Sequence, residues 1–184
     1  MVFLRTTSEY NFLIDGSDFN VDLNNSNTMC ISSSPRDYKV TFTDNVVSKI
    51  DLNNKKYSDY IFIADKNIMR IYPNLRDTLN SYPTYIVEAV EDNKNIHEAL
   101  RICDFLLDNN ANRGTCIYGL GGGIIQDLVA YAAATFKRGI PWKYIPTTLL
   151  GQSDSCVGGK TGLNHNGTKN LIALFSAPRE IIID

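Results

Sequence analysis

The chain has 184 residues, of which 43% are hydrophobic and 21% charged, and its formal net charge is −2. This length accommodates one well-buried domain, and the ordinary composition excludes a low-complexity or repeat protein. The charge gives no support to general nucleic-acid binding or to a membrane-surface role, and no apolar run reaches the roughly 18 residues of a membrane-spanning helix.

Strands and helices are predicted to alternate along most of the sequence. The first 35 residues are rich in Asn, Ser and Asp, and short apolar patches at 10–14 and 28–31 predict short strands and loops. The predicted strands that follow are 38–44, 60–65, 84–90, 115–120, 142–148 and 180–184, and the predicted helices are 67–80, 95–107 and 123–136. This alternation indicates βαβ units and a Rossmann-like α/β fold with a mainly parallel sheet.

Small and polar residues follow several of the predicted strands. They occupy position 65 and the stretches 88–94, 119–127 and 147 onward. Because ligands of open parallel sheets bind outside the carboxyl ends of the strands, we expect the ligand site there. From Lys137 onward, six Lys or Arg residues stand against three acids. This local excess favours a small anionic ligand, and an uneven but solvated surface is the alternative.

The cysteine pattern favours a reducing compartment, and the number of histidines does not support a metal site. The four cysteines are widely spaced and form no CxxC pair, which is typical of reduced thiols in a cytoplasmic protein. Two histidines do not suffice for a His-rich metal site. The N-terminus lacks the pattern of a signal peptide, namely a basic region followed by an apolar one.

The segment GLGGGIIQDL follows a predicted strand and opens a predicted helix. Glycines let a backbone approach a pyrophosphate, whose charge the N–H groups of the helix start bind. The spacing does not fit GxGxxG, so the motif is not a conventional dinucleotide fingerprint. Close packing of strand and helix is the structural alternative. Asp127 is interpreted either as a charge cap in the first turn of the helix or as a ligand of a cofactor.

The segment DSCVGGKTGLNHNGTKN resembles the end of a nucleotide-binding P-loop, but that interpretation fails. The first position of GxxxxGK[ST] is Asp154, whose charge would repel a phosphate, and turn residues rather than a helix follow Thr161. We predict a long polar loop instead. Its lysines and amide side chains suit a polyhydroxylated anion such as a sugar phosphate. His165 is either a proton shuttle or a structural residue.

A continuous block from residue 121 to 184, including GGGIIQDL, RG, PTTLL, DSCVGGKT, NH and TKN, resembles the 3-dehydroquinate synthases and the related sugar-phosphate cyclases. The resemblance implies an NAD- and metal-dependent lyase of the shikimate pathway, a cytoplasmic homodimer. Its substrate would be the seven-carbon keto-acid phosphate DAHP, and its products 3-dehydroquinate and phosphate. In that family NAD is a recycled oxidant, and the protein mainly positions and polarises the substrate.

The resemblance also assigns site residues and domains. Substrate would be bound near the hydride-transfer centre by Asp154, Lys160 and Asn170, which are the implied catalytic residues, and its phosphate by Arg138 across a dimer interface. The residues implied to bind the cofactor are Asp65, Glu91, Lys94, Gly122, Gly123, Asp127, Thr147, Thr148, Lys160 and Lys169. Residues 1–35 would form an irregular, partly β lead-in, and 36–184 the NAD-binding domain. The zinc or cobalt ligands would lie in a helical domain after residue 184, so we expect the chain alone to be inactive.

Three departures from the family pattern leave alternatives open. Gln126 stands where the family has glycine and is expected to crowd the turn that binds pyrophosphate. Residues 166–168 replace a Pro-Leu-Gly-like linker, and the first 35 residues differ from the usual short lead. The alternatives are another sugar-phosphate cyclase, a glycerol dehydrogenase-like oxidoreductase, and a binding or regulatory domain without chemistry.

Overall fold

The computed structural model describes residues 9–14, 17–22, 28–33, 36–50 and 59–184. The strands in these ranges are β1 (Glu9–Ile14), β2 (Ser17–Asp22), β3 (Thr28–Ile31), β4 (Tyr38–Phe42), β5 (Tyr60–Asp65), β6 (Thr84–Val87), β7 (Cys116–Gly121), β8 (Trp142–Pro146), β9 (Lys160–His165), β10 (Thr168–Phe175) and β11 (Glu180–Ile183). The α-helices are α1 (Val46–Lys49), α2 (Lys66–Ile71), α3 (Pro73–Leu79), α4 (Ile96–Asp108) and α5 (Gly123–Thr135).

Nine of the described strands form one mixed sheet in the order β1-β2-β3-β4-β11-β8-β7-β5-β6. The six strands from β4 to β6 in this order run parallel, whereas β1 to β4 form an antiparallel meander. The predicted mainly parallel α/β sheet is thus confirmed. The short strands predicted at 10–14 and 28–31 are present as β1 and β3. β9 and β10 form a separate hairpin.

The central parallel strands β5 and β7 are buried on both faces, as the continuous apolar run YIFIAD of β5 predicts. Ile61 and Ile63 of β5 face a core shared with α4, α5 and the hairpin. Phe62 and Ala64 point to the opposite face, where α2 and α3 pack. Because successive side chains of a strand alternate between faces, this single run supplies residues to two cores.

The predicted helix 67–80 was wrong as one element, because two helices occupy this segment. α2 ends at Ile71, and α3 begins at Pro73. Proline lacks a backbone N–H and restricts the residue before it, so a helix cannot continue through it. Tyr72 accordingly has φ −115° and ψ 80°, outside the helical region.

The predicted long polar loop was also wrong beyond its first residues. A π-helical turn spans Gly151–Ser155, and the hairpin of β9 and β10 begins at Lys160. Asn166 (φ 47°) and Gly167 (φ 74°) form its two-residue turn. Asn-Gly is strongly preferred where both turn residues need positive φ, as in type I′ hairpins. These residues therefore connect two strands rather than merely interrupting a helix.

Within the described ranges, no helix is both long and apolar enough to cross a membrane. The meander β1–β4 belongs to the same sheet as the parallel strands. The boundary at residue 35 and the helical domain after residue 184 stay predictions.

Candidate functional site

The candidate site lies at the carboxyl ends of β5, β7 and β8. The chain leaves β5 toward β6 on one side and leaves β7 toward β8 on the other, while β5 and β7 are neighbours. Such a topological switch opens a crevice where open α/β sheets bind ligands. Asp65 ends β5, Gly121 ends β7, and Thr147 follows β8.

The glycines between β7 and α5 divide into packing residues and residues that border the crevice. A Cβ on Gly119 would lie 3.2 Å from Val129, and one on Gly121 would lie 2.4 Å from Ile125. These two glycines let α5 pack closely on the sheet, as the structural alternative proposed. A Cβ on Gly123, by contrast, would come no closer than 3.9 Å to Ser155 Oγ. Close packing is therefore confirmed at Gly119 and Gly121, whereas the approach of a pyrophosphate to Gly123 stays a prediction.

Three buried polar atoms near the start of α5 have no hydrogen-bond partner among the described residues: Gln126 Oε1, Thr147 Oγ1 and Ser155 Oγ. Buried polar groups are nearly always paired, so orphaned ones indicate a missing ligand or water. Gln126 is 4% exposed, and its Nε2 donates to the carbonyl of Ser155 at 2.7 Å. Its side chain thus ties the first turn of α5 to the 151–155 turn.

Asp65 and Tyr144 lie beside the turn after β7, and Tyr144 hydrogen-bonds to it. Asp65 caps α2, since its Oδ1 accepts a hydrogen bond from the backbone N–H of Asn67 at 2.8 Å. Its Cβ is 3.3 Å from the position a Gly121 Cβ would take, which places Asp65 beside the glycine turn. The buried Tyr144 hydroxyl donates to the Gly121 carbonyl at 3.0 Å. Burial raises the pKa of Tyr144 above its ordinary value, so this hydroxyl keeps its proton.

Asp127 lies beyond the first turn of α5, so its interpretation as a charge cap there was wrong. Its Oδ2 accepts a hydrogen bond from Lys94 Nζ at 2.7 Å, and its Oδ1 accepts one from the Gly162 N–H at 3.2 Å. Lys94 Nζ also donates to Asn170 Oδ1 at 2.6 Å. Lys94 is 8% exposed. Together these contacts form a Lys94–Asp127–Asn170 cluster between α5 and the hairpin.

A second set of contacts joins the hairpin to the 91–95 segment. Asn164 Nδ2 donates to Glu91 Oε1 at 2.8 Å, and the Asn170 N–H donates to Asn164 Oδ1 at 3.0 Å. Lys169 Nζ lies 3.8 Å from Glu91 Oε1, with both groups largely solvated. The hydrogen bond from Asn164 lowers the pKa of Glu91, and the nearby charges of Lys169 and Lys94 add to this effect.

Not every predicted site residue joins these contacts. Asp154 and Lys160 are exposed, in the 151–155 turn and at the start of β9. Thr148 lies by the glycine turn, where its Cγ2 would be 3.0 Å from a Gly122 Cβ. Arg138 is exposed beyond the far end of α5, roughly 20 Å from its start at 1.5 Å per residue. Arg138 is therefore not brought together with the other predicted residues.

Ser155 contributes to the site although it was assigned no role, and Asn164, predicted as an amide that binds a polyhydroxylated anion, also hydrogen-bonds to Glu91 and Asn170. Asn164 was grouped with Asn170 as a polar loop residue, and the NG turn two residues later gave the signal that it lies on a strand. Ser155 adjoins Asp154, but its contact with Gln126 depends on the tertiary fold. Within the residues that the structure describes, no group of three or more His, Cys, Asp or Glu side chains could hold a metal.

Comparison with known proteins identifies one family and several relatives. The family described as 3-dehydroquinate synthase N-terminal matches residues 84–184. The 3-dehydroquinate synthase of Pelagibacter ubique is 37% identical over 164 residues, which are 84% of this chain and 44% of the relative. The chain thus spans less than half the length of this relative.

Two solved structures have a similar fold. One is a 2-deoxy-scyllo-inosose synthase complexed with carbaglucose-6-phosphate, NAD+ and Co2+, with 25% identity, a TM-score of 0.73 and coverage of 85% of this chain and 44% of that one. The other is a 2-epi-5-epi-valiolone synthase from Streptomyces hygroscopicus with NAD+ and Zn2+ bound. It has 25% identity and a TM-score of 0.71, and the match covers 80% of this chain and 42% of that one.

Proposed function

Because the chain belongs to the 3-dehydroquinate synthase family, we propose that it forms the NAD-binding part of an enzyme converting DAHP to 3-dehydroquinate and phosphate. The observation that carries this proposal is the glycine turn at the switch point, near which three buried polar atoms have no hydrogen-bond partner in the part of the chain that the structure describes. A dinucleotide offers groups that pair with such atoms. Two similar solved structures contain NAD+.

In this proposal each side of the crevice binds one part of NAD. The backbone at Gly122 and Gly123 approaches the pyrophosphate, and the start of α5 lies beside its charge. Asp65 accepts from hydroxyls of the adenosine ribose, since one of its carboxylate oxygens is not used by the cap of α2. Thr147 supplies a buried hydroxyl. Bound NAD would supply a hydride acceptor that returns the hydride within the same turnover.

The hairpin side holds the remaining proposed cofactor contacts and the substrate. Lys160 and Lys169 present exposed cations suited to carboxylate and phosphate oxygens. Asn170 is oriented by its contact with Lys94, so its amide is held in place before substrate arrives. Asp154 accepts from substrate hydroxyls. The chain's part in the chemistry is to bind, orient and electrostatically stabilise.

The described residues do not fit a zinc or cobalt site. Metal ligands located in a helical domain after residue 184 remain our hypothesis. On this hypothesis the 184-residue chain alone releases no phosphate from DAHP. Turnover by this chain with NAD and added zinc or cobalt would contradict it.

A homodimer and a cytoplasmic location complete the proposal. Arg138 lies exposed and far from the glycine turn, which favours its use by the site of a second subunit. Sedimentation of the wild type and of Arg138→Ala would test the dimer. None of the four cysteines, all of which the structure describes, forms a disulfide bond, in keeping with a reducing compartment.

The proposed cofactor site is tested by calorimetry with NAD on the wild type and two alanine variants. In Gly122→Ala the new Cβ lies 3.0 Å from Thr148 Cγ2 and narrows the turn, so we expect at least a tenfold loss of affinity. Gly114→Ala is the matched control, since its Cβ meets a neighbour at 3.2 Å at the opposite end of β7. Failure of the wild type to bind NAD would favour a domain without chemistry and overturn the proposal.

The substrate is tested on any longer natural polypeptide that contains this chain. Phosphate release from DAHP, sedoheptulose 7-phosphate and glucose 6-phosphate, with NAD and zinc or cobalt, separates a dehydroquinate synthase from other sugar-phosphate cyclases. The cyclase bound to carbaglucose-6-phosphate makes the third substrate a necessary comparison. Net accumulation of NADH instead of phosphate would indicate a glycerol dehydrogenase-like oxidoreductase.

A further inference from the structure

We propose that Asn164 is a positioning residue that holds Glu91 and Asn170 in place on the two sides of the candidate site. The inference rests on the proposed function in one respect, namely that Glu91 and Asn170 face cofactor and substrate. The geometry itself concerns residues of this chain alone.

Asn164 connects two segments through three of its polar groups. Its backbone N–H donates to the Lys94 carbonyl at 2.8 Å, and a parallel bridge pairs it with Asn95. Its side-chain Nδ2 donates to Glu91 Oε1, and its Oδ1 accepts from the Asn170 N–H. One residue of β9 thus anchors both the 91–95 segment and β10.

The two side-chain contacts fix the orientation of the Asn164 amide. Oδ1 must face the Asn170 N–H because the amide nitrogen cannot accept a hydrogen bond. Nδ2 must face Glu91 because a carboxylate cannot donate. If the amide were flipped, Nδ2 would face the Asn170 N–H, which is also a donor, and Oδ1 would face the Glu91 carboxylate, which is also an acceptor. The side chain therefore fits these two partners in one orientation only.

Asn170 needs such an anchor because its backbone is strained. Its φ of 54° lies in the left-handed region, at the register shift of β10 between Thr168 and Ile172. A residue other than glycine pays a cost for this conformation, so surrounding contacts must hold it. The Asn164 side chain holds its N–H, and Lys94 holds its side chain. Gly162 leaves the space that Asn170 occupies, since a Cβ on Gly162 would lie 2.8 Å from Asn170 Cβ.

Glu91 depends on Asn164 in a different way. The donated hydrogen bond is the largest cause of its lowered pKa, and the charges that face it are Lys169 and Lys94. Glu91 is exposed, so without Asn164 its carboxylate would be free to turn toward solvent. Loss of the Asn164 donor should therefore raise the pKa of Glu91 and make the Glu91 side chain less ordered.

Two substitutions separate these functions. Asn164→Asp keeps an acceptor for the Asn170 N–H but places a carboxylate against the Glu91 carboxylate. We therefore expect it to lose the contact with Glu91 and to keep the contact with Asn170. Asn164→Ala removes both contacts. Asn109→Asp and Asn109→Ala are matched controls, because Asn109 also donates through Nδ2, to the Phe105 carbonyl, remote from the crevice.

The experiment combines nuclear magnetic resonance of the Asn170 amide, titration of the Glu91 carboxyl and calorimetry with NAD. We expect Asn164→Ala to increase exchange of the Asn170 amide at least tenfold and Asn164→Asp to leave it protected. Asn164→Ala should raise the Glu91 pKa, and both variants should weaken NAD binding roughly tenfold. The Asn109 controls should change none of these quantities.

An unchanged Asn170 amide and an unchanged Glu91 titration in Asn164→Ala would overturn the inference. If the wild type binds no NAD, the proposed function fails, while the resonance measurements still decide the role of Asn164. If Asn164→Ala does not fold, Asn164→Ser replaces it, since its shorter side chain cannot bridge both partners. In a longer natural polypeptide that contains this chain, activity adds a separate readout, with the KM for NAD rising more than that for substrate in Asn164→Asp.

Discussion

Replacing Lys94 by Met should destabilise the protein by about 3 kcal/mol, because it leaves the largely buried carboxylate of Asp127 without its cation. The side chains of Lys94 and Asp127 are 11% and 17% exposed. Removing one partner of a buried pair costs roughly 3–5 kcal/mol, and we take the lower end since both groups retain some solvent contact. Asn170 Oδ1 also loses its donor. Methionine preserves most of the packing of the lysine stem.

The assay is urea unfolding followed by circular dichroism, together with the melting temperature. For a chain of this length, a loss of 3 kcal/mol lowers the melting temperature by roughly 6–12 °C. Lys66→Met is the matched control. Its ion pair with Glu88 spans 3.7 Å between groups that are 65% and 63% exposed, so its loss should cost less than about 0.5 kcal/mol.

A double-mutant cycle isolates the interaction. Asp127→Asn keeps an acceptor for the Gly162 N–H but removes the charge, so Lys94→Met combined with Asp127→Asn leaves no buried charge unpaired. We expect the double variant to be more stable than the sum of the single losses implies, by at least about 1 kcal/mol. Additive losses, or a cost below about 1 kcal/mol for Lys94→Met alone, would refute the reasoning.

Three further outcomes are expected. Burial alone would raise the pKa of Glu180, but the hydrogen bond from Lys143 and other contacts lower it. The contribution of Glu180 to stability is therefore present above pH ~4.3 and is lost as the pH falls through the pKa of the folded state. Glu180→Gln should accordingly flatten the acid side of a profile of melting temperature against pH. Asn166→Ala should cost about 1 kcal/mol in urea unfolding because its φ is 47°, whereas Asn166→Gly should cost less. With a thiol reagent at pH ~8, the exposed Cys30 should react first and Cys156 last, since burial raises the pKa of Cys156 to about 11. Fast labelling of Cys156 in the folded protein would contradict this expectation.

The regular elements were predictable from the sequence because local patterns determine them. The apolar run at 60–65 and the glycine turn at 121–123 are each formed by neighbouring residues, and the structure contains both where they were predicted. The error at Pro73 was avoidable, since proline breaks a helix on local grounds. The hairpin turn at Asn166 and Gly167 was equally local and was misinterpreted as a loop.

The contacts of the site were not predictable in the same way. Lys94 and Asp127 are 33 residues apart, and Lys94 and Asn170 are 76 apart. No local pattern pairs such residues, so only the tertiary fold reveals that Asp127 binds a lysine rather than capping a helix. The resemblance placed these residues in one site, but it did not indicate that they bind one another.

The position of β11 has a consequence for how the protein is made. β11 lies between β4 and β8, so among the described strands it is residues 180–183 that connect the meander β1–β4 to the parallel strands β5–β8. During synthesis the two parts of the sheet therefore remain separate until these residues leave the ribosome. Such non-local pairing slows folding and leaves strand edges exposed in the meantime. β11, the last of the described strands along the chain, thus joins the two parts of the sheet, and nascent chains that stop short of it are the species that chaperones would meet.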